Sequence, residues 1–323
     1  MALASGIENK ERRFMPKSQW VDFGNNTFAV TGGSNIGFIV QGNRALMVDA
    51  GLDAAVARRA VRQFADLGAE LGGVVLTHGH ADHFGGAPWI ARRDGIPVFA
   101  PPLEGAFAAQ PLLEPLFLHG GAAPFAELRS KFTLAKEAVD APQSLQPGPL
   151  TLQGIPVEIV ALHGHAPQQV GVGYPAGDHP APDGRTLYCG DAVFPMETIK
   201  RHPILFCVDM DAWLTTLASM PDLPYDRFVA GHGEPVTDIA PLVDATAARL
   251  REIRSVTHAA LAEPQEPYAL LRAVAAHLGV TFNAPQFFLL SLTTINAALS
   301  SLQLAGEAEI TMVDNRLLWR ACR

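Results

Sequence analysis

The chain has 323 residues, 48% of them hydrophobic and 17% charged, with a formal charge of −8. That is enough for one large core, or for one core and a small appendage. The acidic balance, with no Lys/Arg run longer than a pair, argues against a protein whose main task is gripping phosphate backbones, so nucleic acid is not the expected partner. Cys189, Cys207 and Cys322 lie far apart and form neither a disulfide framework nor a Cys-x-x-Cys knuckle. Residues 1–20 are mixed polar without a signal-peptide stretch. No apolar run is read as long enough to cross a bilayer, so a soluble cytoplasmic protein is expected, with no membrane partner.

In chain order, residues 38–48 read as two short strands around Gly42-Asn43 and end in Asp49-Ala50-Gly51. Asp53 is placed to cap a helix whose Val56, Ala60, Phe64 and Leu67 share a face. A short buried strand over 73–76 runs into Thr77-His78-Gly79-His80-Ala81-Asp82-His83. A helix over 87–93 and a strand over 97–100 follow. Between 101 and 149, proline and glycine punctuate apolar clusters such as Phe107, Leu112, Phe117 and Phe132. A structureless loop of that length is rare. A helical insertion lying over a site as a lid, and a satellite core beneath a long excursion, fit it equally well.

Strands return at 151–152, 157–162, 170–174, 185–189 and 227–230, with a helix over 211–220. Candidate ligands begin where strands end, as sites do in α/β folds. From about residue 240 the texture is helical, with helices over 241–261, 268–278 and 285–302 and a hairpin over 309–320 turning at Asp314-Asn315. That order is winged-helix-like. Residues 1–240 are therefore expected to form the main domain and 241–323 a small C-terminal unit.

His78-x-His80-x-Asp82-His83 is the sharpest signal. In an extended loop, residues two apart project to the same side, so His78 and His80 can converge on one ion while Asp82 and His83 face a neighbouring position. His165 in His163-Gly164-His165, Asp191 in Gly190-Asp191, and His232 in Gly231-His232-Gly233 each follow a strand-like run. A glycine beside each lets backbone approach an ion closely.

This ordered set resembles the metallo-β-lactamase superfamily over roughly residues 23–236, closest to its glyoxalase II-like thioesterase branch. The resemblance implies an α/β fold, a four-layer αββα sandwich. It implies two divalent metal ions. His78, His80 and His165 would hold the first; Asp82, His83 and His232 would hold the second; Asp191 would bridge them. Asp49 resembles the family's early aspartate that orients a ligand histidine. His163 stands where the family often has proline, and His165 is favoured over it as the ligand. Imidazole and carboxylate without thiolate suit zinc, with iron and manganese also compatible. His80 separates the chain from the di-iron flavoprotein branch, which has glutamate there.

Two divalent ions bring four positive charges, and two carboxylates and a bridging hydroxide remove three. The positive remainder favours an anionic transition state, and bound water in such sites has a pKa lowered to roughly 7. The implied activity is hydrolysis of an ester, thioester or lactone whose apolar or acyl part meets the insertion, with Asp82 and Asp191 as the catalytic carboxylates. His202, in Lys200-Arg201-His202-Pro203, is a candidate substrate contact, and so is Tyr174 as an oxyanion donor, although core packing is favoured for Tyr174 and Tyr225. Two alternatives carry different chemistry. One is a metal-dependent ribonuclease or phosphodiesterase, since the helical tail is similar to that of a ribonuclease branch; against it, 245–323 has seven Arg and six acidic residues, close to neutral. The other is a sulfur dioxygenase with one iron on His78, His165 and Asp191. A tail that packs on the core or builds a homodimer interface is preferred to a non-catalytic docking module.

Overall fold

The structure, a computed structural model, describes residues 18–177 and 179–322. Four antiparallel strands open it: β1 (Gln19–Asp22), β2 (Thr27–Thr31), β3 (Ile36–Gln41) and β4 (Arg44–Val48). The last two are the expected hairpin; the first two occupy a stretch where no strand is predicted. Parallel crossovers follow. Helix α1 (Ala54–Phe64) leads to β5 (Glu70–Val75), and the short α2 (Ala81–Phe84) with α3 (Ala87–Asp94) leads to β6 (Val98–Ala100). Asp53 caps α1 by accepting from the Ala55 and Val56 amides, which satisfies donors that have no intrahelical partner. The insertion carries α4 (Pro102–Ala109) and α5 (Leu113–Leu118) and ends in β7 (Gln143–Ser144), which pairs with β6. These seven strands form one sheet in chain order.

The second sheet has the order β12–β11–β10–β9–β8, from β8 (Gly148–Leu152), β9 (Ile155–Ala161), β10 (Val170–Tyr174), β11 (Thr186–Gly190) and β12 (Arg227–Ala230). Its pairs are antiparallel except β11 with β12. Strands β9, β11 and β12 therefore run the same way, and their C-terminal ends share one edge. Helices α6 (Met196–Arg201) and α7 (Met210–Ser219) lie between β11 and β12.

Three apolar layers hold the sandwich. Between the sheets, Ile39, Leu46, Val48 and Val75 meet Ile155, Val157, Val172 and Tyr188. Outside the first sheet, Phe38, Met47 and Val74 pack on Ala57, Ala60 and Phe64 of α1 and Ile90 of α3. Each such large side chain, fully buried, contributes about 1.5–3 kcal/mol. The outer layer of the second sheet is continuous with the C-terminal helices α8 (Ala240–Ala259), α9 (Pro267–His277) and α10 (Pro285–Leu304). Leu187 and Phe228 share one cluster with Leu250, Leu270, Val274, Ile295 and Leu299.

A two-stranded sheet, β13 (Ala308–Val313) and β14 (Arg316–Ala321), ends the described chain. Its turn residues Asp314 and Asn315 have φ of 49° and 61°, the left-handed pair a tight hairpin needs. Gln265, between α8 and α9, bridges to Trp319 of β14. Helix α10 corrects one sequence expectation. Over a window of 18 of its 20 residues the mean hydropathy is 1.4, so the helix is long and apolar enough to cross a membrane by length and composition. Its Ser291, Thr294, Ile295, Ala298, Leu299 and Leu302 are nevertheless buried in the protein's own interior.

The insertion joins the core while keeping part of its apolar surface exposed. Ala108, Ala135 and Val139 enter the outer layer of the first sheet, while Leu103 and Phe117 remain 47% and 48% exposed.

Candidate metal centre

Five strand ends deliver the polar cluster. Asp49 follows β4; His78, His80, Asp82 and His83 follow β5; His165 follows β9; Asp191 follows β11; His232 follows β12. The edges of the two sheets are stitched together there by Val170 N–H to Thr77 C=O (2.9 Å) and Asn35 N–H to Gly231 C=O (2.7 Å). Seven side chains converge in three overlapping groups: His78, His80 and His165; His78, His83 and Asp191; Asp82, His83 and His232. Within each group the ligand atoms lie no more than 4.8 Å apart.

Asp191 sits in the middle. Its Oδ1 is 3.3 Å from His83 Nε2, and its Oδ2 is 3.5 Å from His165 Nε2 and 3.4 Å from His232 Nε2. Asp82 Oδ2 lies 3.7 Å from His83 Nε2 and 3.5 Å from His232 Nε2. His80 Nδ1 faces His165 Nε2 at 3.0 Å. Backbone must come close for this to happen. A side chain at Gly231 would collide with the Asp191 carboxylate and lie 2.7 Å from His83 Cε1.

The outward nitrogens fix the tautomers. His83 Nδ1 donates to Asp49 Oδ2 at 2.8 Å, His165 Nδ1 to the Phe206 carbonyl at 3.0 Å, and His232 Nδ1 to the Gly33 carbonyl at 2.6 Å. Asp49 also accepts the Thr77 amide and hydroxyl, each at 2.8 Å. With its proton spent on Asp49, Thr77 Oγ1 accepts from His78 Nδ1 at 3.0 Å. In four of the five histidines the Nδ1 proton is thus held outward, and the inward Nε2 is the nitrogen left to a metal.

Two of these nitrogens, on His78 and His83, have no hydrogen-bond partner in the protein. Among the described residues, four buried side-chain polar atoms lack a hydrogen bond, and three are His78 Nε2, His83 Nε2 and Asp191 Oδ1. Buried polar atoms are rarely left so, and a cation at their centre satisfies all three. The residues present fit a metal.

Electrostatics agree. Burial, then neighbouring imidazoles, push His78 well below the usual histidine range; burial leads the lowering of His80 and His165 as well. Burial would also lower His83 and His232, but the carboxylates outweigh it. Asp191, Asp82 and Asp49 raise His83 well above that range, and Asp191 and Asp82 push His232 up to about 9. Burial would raise Asp191, yet His232 and His83 hold it well below the carboxylate range. The pocket selects positive charge, whether proton or metal.

His202 stands at the surface near His232, and the surrounding protein, Arg201 and His232 disfavour its charged form. Tyr174 is not brought to the cluster. It is 8% exposed and packs between the sheets, the core packing favoured for it from sequence. His163 does not join the cluster either.

Two acidic residues of the insertion escaped sequence analysis. Glu104 of α4 is 1% exposed and accepts the Gly79 amide at 2.8 Å and the Gln168 amide at 2.7 Å. Glu114 of α5 is buried and bonds the Ala81 backbone; burial, then Asp82, push its carboxyl well up. An acidic residue on an otherwise apolar helix was the available signal.

Comparison with known proteins agrees with this geometry. The model of the Metallo-beta-lactamase superfamily matches residues 29–232. A beta-lactamase domain protein from Burkholderia ambifaria has a similar fold, with TM-score 0.70 and 18% identity over 95% of each chain. A metallo-beta-lactamase family protein from Thermus thermophilus gives TM-score 0.65 and 19% identity over 90% of this chain and 94% of that one. A metallo-beta-lactamase from Pontibacter korlensis gives 0.53 and 16%, covering 73% of this chain and 99% of its own. No curated protein matches the chain. The chain belongs to the metallo-beta-lactamase superfamily and is an enzyme of that fold, with a His/Asp cluster suited to divalent metal.

Proposed function

We propose that the protein is a dinuclear metal-dependent hydrolase that cleaves an ester, thioester or lactone carrying an apolar acyl group, as in the glyoxalase II-like thioesterases. The observation that carries this reading is the set of orphaned, inward-facing Nε2 and carboxylate atoms at His78, His83 and Asp191. His78, His80 and His165 would hold one ion, Asp82, His83 and His232 the other, and Asp191 both. Zinc is favoured by the imidazole and carboxylate set. When bound, the ions supply Lewis acidity toward a carbonyl and a water of lowered pKa.

The chain's own residues do the rest. Asp49, Phe206 and Gly33 hold the ligand tautomers through the outward nitrogens. Asp82, whose side chain is 31% exposed, takes up the proton that hydrolysis releases. Exposed His202 contacts the departing group. The acyl part meets an apolar wall. Phe107 abuts Gly79, Phe117 stands edge-on to Phe107 with centroids 6.3 Å apart, and the Phe206 ring is 5.2 Å from His80. Burying apolar surface there favours acyl chains over free sugars or nucleotides.

The test is turnover of acyl thioesters, esters and lactones of graded chain length, with and without chelator. Metal-dependent hydrolysis that improves with acyl length is expected. No turnover across the panel would sink the reading. Elemental analysis separates it from oxidation: two zincs fit hydrolysis, and a single iron fits a dioxygenase on His78, His165 and Asp191. The tail, residues 241–323, is read as a winged-helix-like unit serving the core or a homodimer.

A further inference from the structure

We propose that Glu104 is a positioning residue for the first metal, clamping the His78–His80 loop to the His165 loop. This rests on the two-ion reading above.

Three segments meet at this one carboxylate. Oε2 takes the amide of Gly79, which lies between the ligands His78 and His80; Oε1 takes the amide of Gln168, three residues after His165. The link is doubled by the Leu103 amide, which donates to Gln168 Oε1 at 2.8 Å. Helix α4 is pressed onto the loop so closely that a Cβ on Gly79 would lie 2.7 Å from Phe107 Cβ and 2.9 Å from the Glu104 carbonyl oxygen. The loops joined in this way present His80 Nδ1 and His165 Nε2 to each other at 3.0 Å.

Only a carboxylate offers a separate acceptor oxygen to each of two N–H groups with no donor between them. Glutamine has one oxygen, so its NH2 would meet one of the amides donor to donor. The second metal's ligands are held from elsewhere: His232 by Gly33, His83 by Asp49, and the Asp82 backbone by Ser34 Oγ at 2.6 Å. The clamp therefore acts on one ion and not on the other.

The experiment is stepwise titration of metal-free Glu104→Gln with Zn2+ by calorimetry and elemental analysis. His165→Ala and His232→Ala serve as references for loss of the first and second ion. Expected is a roughly 10–100-fold weaker first ion, the usual effect of losing a partner behind a metal ligand, with the second ion unchanged. Equal weakening of both ions, or weakening of neither, overturns the proposal. Should Glu104→Gln fail to fold, Gln168→Ala removes only the outer strut, and it must weaken the first ion in the same direction; no change overturns the proposal. A wild-type protein that takes up fewer than two ions contradicts the two-ion reading instead. The clamp is then read from hydrogen exchange at the Gly79 and Gln168 amides, which Glu104→Gln must accelerate together.

Discussion

The two halves of the His/Asp cluster are built from different parts of the molecule. The half around Asp82, His83 and His232 leans on the first sheet's loops: Gly33 holds His232, Asp49 holds His83, and Ser34 holds the Asp82 backbone. The half around His80 and His165 leans on additions to the sandwich. Glu104 comes from the insertion, and Phe206, whose carbonyl holds His165, follows Leu205, whose carbonyl accepts Thr294 Oγ1 of α10 at 2.7 Å. In the two-ion reading, the second position would rest on the core sheets alone. The first would rest also on the insertion and on a C-terminal helix that lies outside the matched residues 29–232.

Asp191 touches both halves, so Asp191→Ala should erase the contrast. Metal affinity at both positions and turnover should fall by more than the roughly 100-fold that loss of a partner behind a ligand costs. Calorimetry and steady-state rates check this, and unchanged turnover would mean the bridge is misassigned. Asp49→Asn should set the halves further apart. Asp49 accepts from the Thr77 amide, the Thr77 hydroxyl and His83 Nδ1, and an amide cannot accept all three. Affinity for the second ion should fall roughly 10–100-fold, with a smaller loss at the first through Thr77 and His78. An unaltered second ion would contradict the division.

Thr294→Val tests the other half. The substitution leaves the Leu205 carbonyl unsatisfied in the interior, at a cost of about 1–3 kcal/mol visible in chemical unfolding. The first ion alone should bind a few-fold more weakly, as metal titration will show. If the tail is independent of the site, only stability moves.

The smallest effect is a proton. His232, held up at about 9 by the carboxylates, is protonated in the metal-free protein at neutral pH. Its unfolded value is about 6.5. That contribution to metal-free stability is therefore fully present below about 6.5 and lost as pH rises through about 9. Metal must displace the same proton, so affinity for the second ion should rise over that window. Calorimetry in buffers of different ionisation enthalpy measures the protons released at pH 7. Release confined to the first ion would reverse the assignment.

Much of the site was legible because its chemistry is local in sequence. His78, His80, Asp82 and His83 lie within one turn of loop and helix, and glycines flank Asp191 and His232. The hairpin turn at Asp314-Asn315 and the cap at Asp53 were legible for the same reason. Strands β1 and β2 were not: β2 is buried along its whole length, so it shows no polar alternation. Tyr174, the last residue of β10, lies away from the cluster because β10 runs antiparallel to β9 and β11, whose ends carry His165 and Asp191. The apolar length of α10 was overlooked, and only its packing distinguishes a buried helix from a membrane-crossing one.

Which residues can bind metal, and the order in which strands deliver them, follow from the chain alone, since ligand chemistry and turn preference act over a few neighbouring residues. Only packing decided that Glu104 and Thr294, from two separate elements, would stand behind the ligand loops. No short-range rule connects residue 104 to residues 79 and 168; the seating of α4 across two loops is what brings one carboxylate within reach of both amides.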